Sequence, residues 1–216
     1  MQDFIMTTGM VLKAEPVGEY DRRVVLLTGN HGKIAAFARG ARRQGNRLSA
    51  STDLFAFGEF KLYPGKNSYT ITDAVISNYF EEFREQLNEA MYGMYFLEVM
   101  EYQTRENNDE KEMLKLLYQS LRAILHPAYD NRLVQAVFEI KTMVLMGEFH
   151  PLREDAGYQP GTFYTVDYII NQRVEHLFNF SLKEEILVEI MAISKEEKKR
   201  CWNHHFKSEE LLSIIG

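Results

Sequence analysis

The stretch Gly32-Lys33-Ile34-Ala35-Ala36-Phe37-Ala38-Arg39-Gly40-Ala41-Arg42-Arg43-Gln44-Gly45-Asn46-Arg47 decides how this chain is read. Five cations fall within its sixteen residues, and no acid interrupts them. Its first half alternates: a strand over residues 33–39 has a period of two, which puts Lys33, Phe37 and Arg39 on one face and Ile34, Ala36 and Ala38 on the other. One face is apolar; the other is cationic around a flat ring. The second half is a polar loop punctuated by Gly40 and Gly45. A cationic strand face continued by an arginine-bearing loop suits phosphates and unstacked bases. The competing reading is a solvated hairpin whose charges keep it soluble.

Upstream, residues 22–28 form a β-branched and leucine-rich run, and Gly29-Asn30-His31-Gly32 reads as a tight turn into the opening strand. Residues 7–14 alternate as well, until Glu15-Pro16-Val17-Gly18 breaks the run. Downstream, residues 53–63 change apolar parity from Phe55 and Phe57 to Phe60 and Leu62, with Gly58 at the change, as a β-bulge there would produce. Pro64-Gly65-Lys66-Asn67-Ser68 makes the next turn, and residues 69–77 make a fifth strand with Tyr69, Ile71 and Val75 in step. Five short antiparallel strands with a bulge predict a small barrel.

After Asn78 the apolar period lengthens to between three and four. Residues 81–87 read as a short helix and 88–105 as a long one, apolar around most of its circumference, with Gly93 as a close-packing position. Asn107-Asn108-Asp109 offers N-cap chemistry for a helix through Leu125, stopped by His126-Pro127. A third long helix spans 131–146 and ends at Gly147. Residues 149–180 read as a loop-rich insertion in which 162–170 and 173–178 are strands or short helical turns. Ser181-Leu182-Lys183-Glu184 resembles a capping box into a helix through about Ser194, with two short helical pieces, 195–204 and 207–215, closing the chain. The expected fold is α+β: a five-stranded barrel over 1–80 and an all-helical domain over 81–216.

Composition narrows the function. At 216 residues, 45% hydrophobic and 26% charged, the chain can bury a substantial core. No run of about 18–20 apolar residues is available to span a membrane, and residues 1–8 lack the cationic start of a secretory signal, so the expected location is cytoplasmic. The single cysteine, Cys201, excludes an intramolecular disulfide framework. The net charge of −6 conceals an asymmetry: residues 1–80 hold ten Lys/Arg against seven Asp/Glu, and the remainder holds fifteen against twenty-four. Fields act over about 8 Å at physiological salt, so an acidic whole does not forbid a basic patch that faces DNA.

Catalytic signatures are sparse. Gly29-Asn30-His31-Gly32-Lys33 lacks the Ser or Thr and the following helix of a phosphate-binding loop. Cys201, His204 and His205 have metal-ligand spacing on a helix, but three such groups without a partner pair point to caps or surface groups. Glu81, Glu82 and Glu85 fit a solvated helix face. The residues therefore favour a binding protein. The rival readings are an adaptor whose barrel binds protein without direct DNA contact, and a nuclease or transferase using the carboxylates of 81–85.

Thr8-Gly9-Met10-Val11-Leu12, Tyr20-Asp21-Arg22, Leu26-Leu27-Thr28, His31-Gly32-Lys33-Ile34 and Ala38-Arg39-Gly40-Ala41-Arg42-Arg43 together resemble the N-terminal signature of the RecO family of bacterial recombination mediators. The similarity continues through Phe57-Gly58 and Met146-Gly147-Glu148-Phe149-His150-Pro151 to the closing Phe206-Lys207-Ser208-Glu209-Glu210-Leu211. It implies an N-terminal OB-fold and a non-enzymatic activity: binding single- and double-stranded DNA, annealing complementary strands coated with single-strand-binding protein (SSB), and loading RecA with RecR. It also implies a cytoplasmic, nucleoid-associated protein that needs no cofactor. Many relatives carry a four-cysteine zinc knuckle just after the position of His150-Pro151; here Arg153-Glu154-Asp155-Ala156-Gly157 follows, so the chain resembles a branch without that metal.

The resemblance makes Lys33, Arg39, Arg42, Arg43 and Arg47 the leading DNA contacts, with Arg22, Arg23, Lys61 and Lys66 flanking them. Phosphate contact without base selection is the work expected of them. Phe37 stacks on a base or belongs to the barrel core. An SSB tail, acidic and ending in hydrophobic residues, needs an apolar groove beside a cation, for which Lys141 and Arg153 are the candidates.

Overall fold

A computed structural model describes residues 4–66, 68–153 and 155–215. Met1 to Asp3 of the N-terminal stretch, Asn67 of the predicted turn and Glu154 of the segment after Pro151 lie outside the described residues. The chain divides into two compact units, Met1–Glu85 with Leu97–Leu114, and Gln86–Phe96 with Lys115–Gly216. No helix among the described residues is long and apolar enough to cross a membrane.

In the first unit, strands β1 (Ile5–Val17), β2 (Asp21–Thr28), β3 (Gly32–Ala38), β4 (Phe57–Pro64) and β5 (Tyr69–Asn78) close a barrel in the order β1-β2-β3-β5-β4. This order, with β4 returning to β1 and β3 meeting β5 in parallel, is that of an OB-fold. The predicted alternation of the opening strand holds: Ile34, Ala36 and Ala38 join Val11, Val24, Leu26, Phe60, Leu62 and Ile71 in the interior. A short helix α1 (Leu48–Ser51), not expected from the sequence, interrupts the connection from β3 to β4.

Besides the parallel β3–β5 pairing, where antiparallel strands were expected, the barrel differs from expectation in three places. First, β1 does not break at Pro16 but pairs with β2 as far as Val17 opposite Asp21. Beyond Met10 it has no β4 partner on its other side, so the missing proline N–H removes no ladder bond there. Second, β4 begins at Phe57 rather than at Asp53. Phe55 has φ 69°, in a turn, and packs its ring 4.6 Å from Phe83, which accounts for the parity change. The register does slip at Phe57/Gly58, but the extra residue is Ser77 on β5, and a side chain at Gly58 would meet the Val75 carbonyl oxygen at 2.2 Å. Third, β5 carries a second slip, where Thr72 is left out of register between the pairs Leu62 with Ile71 and Lys61 with Asp73. The slip turns Ala74 and Ile76 toward the core and leaves Val75 68% exposed.

Helix α2 (Leu87–Gln103) follows a short 3₁₀ turn at Glu81–Arg84, and α3 (Lys111–Ile124) follows the polar link after it. That link is docked on the β2–β3 turn. Glu110 N donates to Gly29 O (2.8 Å), Asn107 N to His31 O (2.9 Å) and Lys33 N to Arg105 O (2.9 Å). Gly32, at φ +65°, sits so close that any Cβ would fall 2.0 Å from the Arg105 carbonyl oxygen.

The second unit is helical, with α4 (Asn131–Met146) buried along most of its length. Asp130 caps it by accepting from Arg132 N, and the helix ends where expected, at Gly147 with φ 72°. Residues 162–170 are neither strand nor isolated turns: they lie in α5 (Pro160–Asn171), where Thr162, Thr165, Val166 and Ile169 are buried at helical spacing. Pro160 at the first turn starts the helix and overrides the β preference of the Thr- and Tyr-rich run. The capping box at Ser181 does not form; α6 (Glu184–Cys201) starts from Lys183 without a side-chain cap and runs unbroken past Ser194, because Glu197 and Lys198 continue its buried stripe. α7 (Lys207–Ile215) closes the unit.

A polar network ties this unit together. Glu139 on α4 accepts from Lys198 (2.7 Å), Tyr95 (2.7 Å), Gln135 (2.9 Å) and Ser194, and Lys198 also pairs with Glu209. Burial works against the Lys198 charge, but Glu139 and Glu209 outweigh it and hold the ammonium pKa above its ordinary value. Removing one partner of such a pair strands the other in the core. Lys198→Met is therefore expected to lose about 3–5 kcal/mol in urea denaturation, whereas Lys199→Met, on the exposed face, stays within about 0.5 kcal/mol of the parent.

Candidate nucleic-acid interface

Beyond Ala38 the chain leaves the barrel wall as the loop 39–47, held in place by main-chain bonds. Gly40 N donates to the Asp21 carboxylate (2.8 Å) and Arg42 N to Tyr20 O (2.9 Å). The arginine loop is thereby fastened to the β1–β2 hairpin tip. Arg42 reaches the Gly18 and Glu19 carbonyls (3.2 Å each), and the Arg43 guanidinium lies 4.6 Å from the centre of the Tyr20 ring. Arg39 is exposed and has no hydrogen-bond or ion-pair partner among the described residues. Arg47 extends the other way, to Thr72 O (2.8 Å) and Asp73 (3.3 Å) on β5.

The ladder pairing carries this surface across the barrel. Arg23 on β2 is paired with Phe37 on β3, Phe37 with Thr70 on β5, and Thr70 with Tyr63 on β4. Directly paired residues share a face, so these side chains form one outer row. Phe37 is therefore on the outside, half-buried among neighbours, and is not part of the barrel core. Beyond Tyr63 stand Phe4, its ring 5.9 Å away, and Lys61, whose ammonium lies 4.2 Å from the Phe4 ring centre. Lys66, exposed, sits at the β4–β5 turn. Tyr20, Phe4 and Tyr63 were not singled out from the sequence. Tyr63 stands two residues from Lys61 on the same face of β4, a local signal, whereas Tyr20 beside Arg43 and Phe4 beside Lys61 come together only in the fold.

Three more of the predicted cations are engaged within the protein. Arg22 donates from one nitrogen to Ser49 O (3.0 Å), Thr52 Oγ1 (3.0 Å) and Asp53 (2.7 Å), pinning α1 to the barrel. Lys33 is half-buried at the opposite end of β3 from Arg39, about 20 Å along the strand, with its ammonium on the Glu101 carbonyl. Burial lowers its pKa, opposed by the Glu101 carboxylate. Arg23 is shared with Glu15 at 3.3 Å. The structure thus gathers Arg39, Arg42, Arg43 and Arg47 on one loop, places Arg23, Phe37 and Lys61 on the adjoining wall, and leaves Lys33 and Arg22 out.

In the helical unit, Lys141 is buried and donates to the carbonyls of Ile169, Ile170 and Gln172 (2.8–3.0 Å), capping the end of α5. It is not available to a partner's carboxylate. Arg153 is exposed and paired with Asp155 at 2.7 Å. Cys201, His204 and His205 do not share a helical face, because α6 ends at Cys201; His204 packs edge-on to Phe206 and His205 pairs with Glu210 (3.1 Å). Cys201 instead faces His150 and Glu197. Burial, then the Glu197 and Glu148 carboxylates, push its thiol pKa up. Glu81, Glu82 and Glu85 are exposed, and among the described residues they do not converge on a common ion position. Between α5 and α6 runs a groove of about 570 Å³ lined by Tyr164, Tyr168, Phe180, Leu182, Lys183 and Ile186.

Residues 1–80 match the family model described as recombination protein O N terminal, and residues 84–157 the model described as recombination protein O C terminal. The chain is 26% identical to a DNA repair protein RecO of Acetivibrio thermocellus over 246 aligned positions, covering 99% of this chain and 98% of that one. It is 30% identical to the RecO of Clostridium novyi and 32% to that of Bacillus pumilus, over 65% and 74% of this chain; these alignments span 55% and 63% of the relatives' lengths. A five-stranded OB barrel matched by the first model and a helical region matched by the second, with a relative aligned along nearly the whole chain, establish that this protein belongs to the recombination protein O (RecO) family.

Proposed function

We propose that this protein is a non-enzymatic mediator of DNA repair and recombination that holds single- and double-stranded DNA on its barrel, anneals complementary strands coated with SSB, and with RecR helps to load RecA, acting in the nucleoid of the cytoplasm. Residues 1–80 form the DNA-holding domain in this reading, and residues 81–216 engage proteins. The observation that carries it is the continuous outer surface made by Arg39, Arg42, Arg43 and Tyr20 with the Arg23, Phe37 and Tyr63 row. OB-folds take oligonucleotides on the β2–β3 face between the β1–β2 and β4–β5 loops. The first of those loops carries Tyr20, the second carries Lys66, and Phe37 lies on the face between them.

The chemistry suits annealing. Guanidinium groups contact phosphate without reading bases, and an exposed ring stacks on any base. Such a surface treats complementary strands alike. Lys33, half-buried, and Arg22, bound to α1, serve the barrel rather than the DNA. For the SSB tail we place the partner in the groove between α5 and α6, whose aromatic walls accept the hydrophobic end while Lys183 meets the acidic portion. This replaces Lys141, which is buried, and Arg153, which is paired with Asp155.

Changing Arg39, Arg42 and Arg43 together to Ala is expected to weaken single-stranded DNA binding and to shallow the log–log salt slope by about 2, at about 0.7 per phosphate contact. Fluorescence anisotropy on random oligonucleotides across a salt series measures both. An unchanged slope favours the adaptor reading, with the arginines as the rim of a protein site. Phe37→Ala should cost about 1–3 kcal/mol of binding if one base stacks on it, while leaving the urea midpoint of the protein unchanged because the ring lies outside the core. The double change Tyr164→Ser with Lys183→Glu should abolish binding of an SSB C-terminal peptide in calorimetry without altering oligonucleotide affinity.

A further inference from the structure

The DNA surface and the α5–α6 groove leave one chemically distinctive cluster unused. His150 follows the α4 cap by three residues, and Glu197 and Cys201 stand one turn apart on α6, a spacing that puts both on one helix face. The ring nitrogen of His150, a carboxylate oxygen of Glu197 and the Cys201 sulfur all lie within 4.8 Å of one another. His150 Nδ1 is 3.0 Å from Glu197 Oε2, and the Cys201 thiol donates to the Glu148 carbonyl at 3.3 Å.

Glu148 supplies an independent observation. Its Oε2 is buried with no hydrogen-bond partner among the described residues, although its charge is close enough to act on the Cys201 thiol. A buried carboxylate oxygen without a donor is costly and calls for a compensating positive charge. Arg200, the cation that acts on the Cys201 thiol, is already paired with the other oxygen of Glu197 (3.3 Å).

We propose that His150, Glu197 and Cys201, with the Glu148 charge nearby and a water completing the tetrahedron, form a zinc-binding site that clips the chain after α4 to the last turn of α6. The donor set decides the metal. Imidazole, thiolate and carboxylate together suit Zn²⁺, whereas Mg²⁺ and Ca²⁺ call for oxygen ligands alone. Zinc bonds of about 2.0–2.3 Å hold tetrahedral donors about 3.3–3.8 Å apart, so the ion has to draw this group together by about 1 Å. His150, with its side chain 54% exposed, has the freedom to move. On binding, the thiol gives its proton to solvent, and the hydrogen bond between His150 and Glu197 is exchanged for two metal bonds. The site is unlike a four-cysteine knuckle: it uses the single cysteine of the chain and side chains separated by more than forty positions.

The test uses the full chain stripped with a chelator and titrated with Zn²⁺ against a chromophoric competitor, and separately with Co²⁺ followed by absorbance. One equivalent is expected, with a thiolate-to-cobalt charge-transfer band. Cys201→Ser and His150→Ala should each weaken zinc binding by more than about tenfold, and Glu148→Gln should weaken it less. The double variant His204→Ala with His205→Ala should bind as the parent does. Less than one equivalent, equal affinity in Cys201→Ser, or a loss in the His204/His205 variant would overturn the site. Circular dichroism checks that the variants fold; should Cys201→Ser not fold, the parent decides, because cobalt bound without a thiolate band is incompatible with the proposal.

Discussion

A five-stranded barrel has room inside for every second side chain and no more, and this limit organises the first unit. The interior mixes the small Ala36, Ala38, Ala41 and Ala56 with the large Phe60, Leu62 and Ile71, as a close-packed core requires. A cation on β2 or β3 then faces outward, or stands at the barrel's end as Arg22 does, paired with the inward-facing Ala38 and bonded to α1 and the residues just after it. Arg23, Lys33 and Phe37 face outward, and Arg39 lies just past the end of β3. The basic surface follows from the filling of the core.

Outward-facing is not the same as available. Segment 101–110 docks on the far end of β3 and half-buries Lys33, while the near end stays open toward the arginine loop. One strand therefore carries a structural lysine at one end and, just past the other, an arginine without a partner among the described residues. Arg22 and Arg23 divide similarly. Adjacent in sequence, they point to opposite sides of β2: one pins α1 through three acceptors, the other joins the aromatic row.

This division explains what the sequence could and could not disclose. The period of two over residues 33–38, the turn at Gly29-Asn30-His31-Gly32 and the end of α4 at Gly147 are local and were legible. Each is set by neighbours a few residues away. The slip at Thr72 was not, because it shows only against Lys61 and Leu62 on another strand, and Val75 accordingly looked like an inward residue. The roles of Arg22 and Lys141 were hidden for the same reason: their acceptors lie roughly thirty positions away in sequence. Charge type could be read directly; charge employment needed the fold. α5 was not decidable from the sequence, because Thr162, Thr165 and Val166 favour strands in isolation, and only their burial at helical spacing, started by Pro160, settles the helix.

The pairing of the remaining arginines bears on how such a surface handles DNA. Arg23 is held by Glu15 and Arg47 by Asp73, both in solvent-exposed pairs that contribute little net stability. In the proposed DNA complex, a phosphate that takes either guanidinium must displace a carboxylate and so gains somewhat less than at Arg39, which has no such partner among the described residues. On the proposed reading the surface grades from Arg39, without a partner among the described residues, to weaker, exchangeable contacts at Arg23 on the wall and Arg47 at the end of the loop. Strands held only by the first can shift over the second. On the proposed reading, a mediator that must bring two strands into register benefits from this gradient, since uniformly tight contacts would fix each strand before its complement was found.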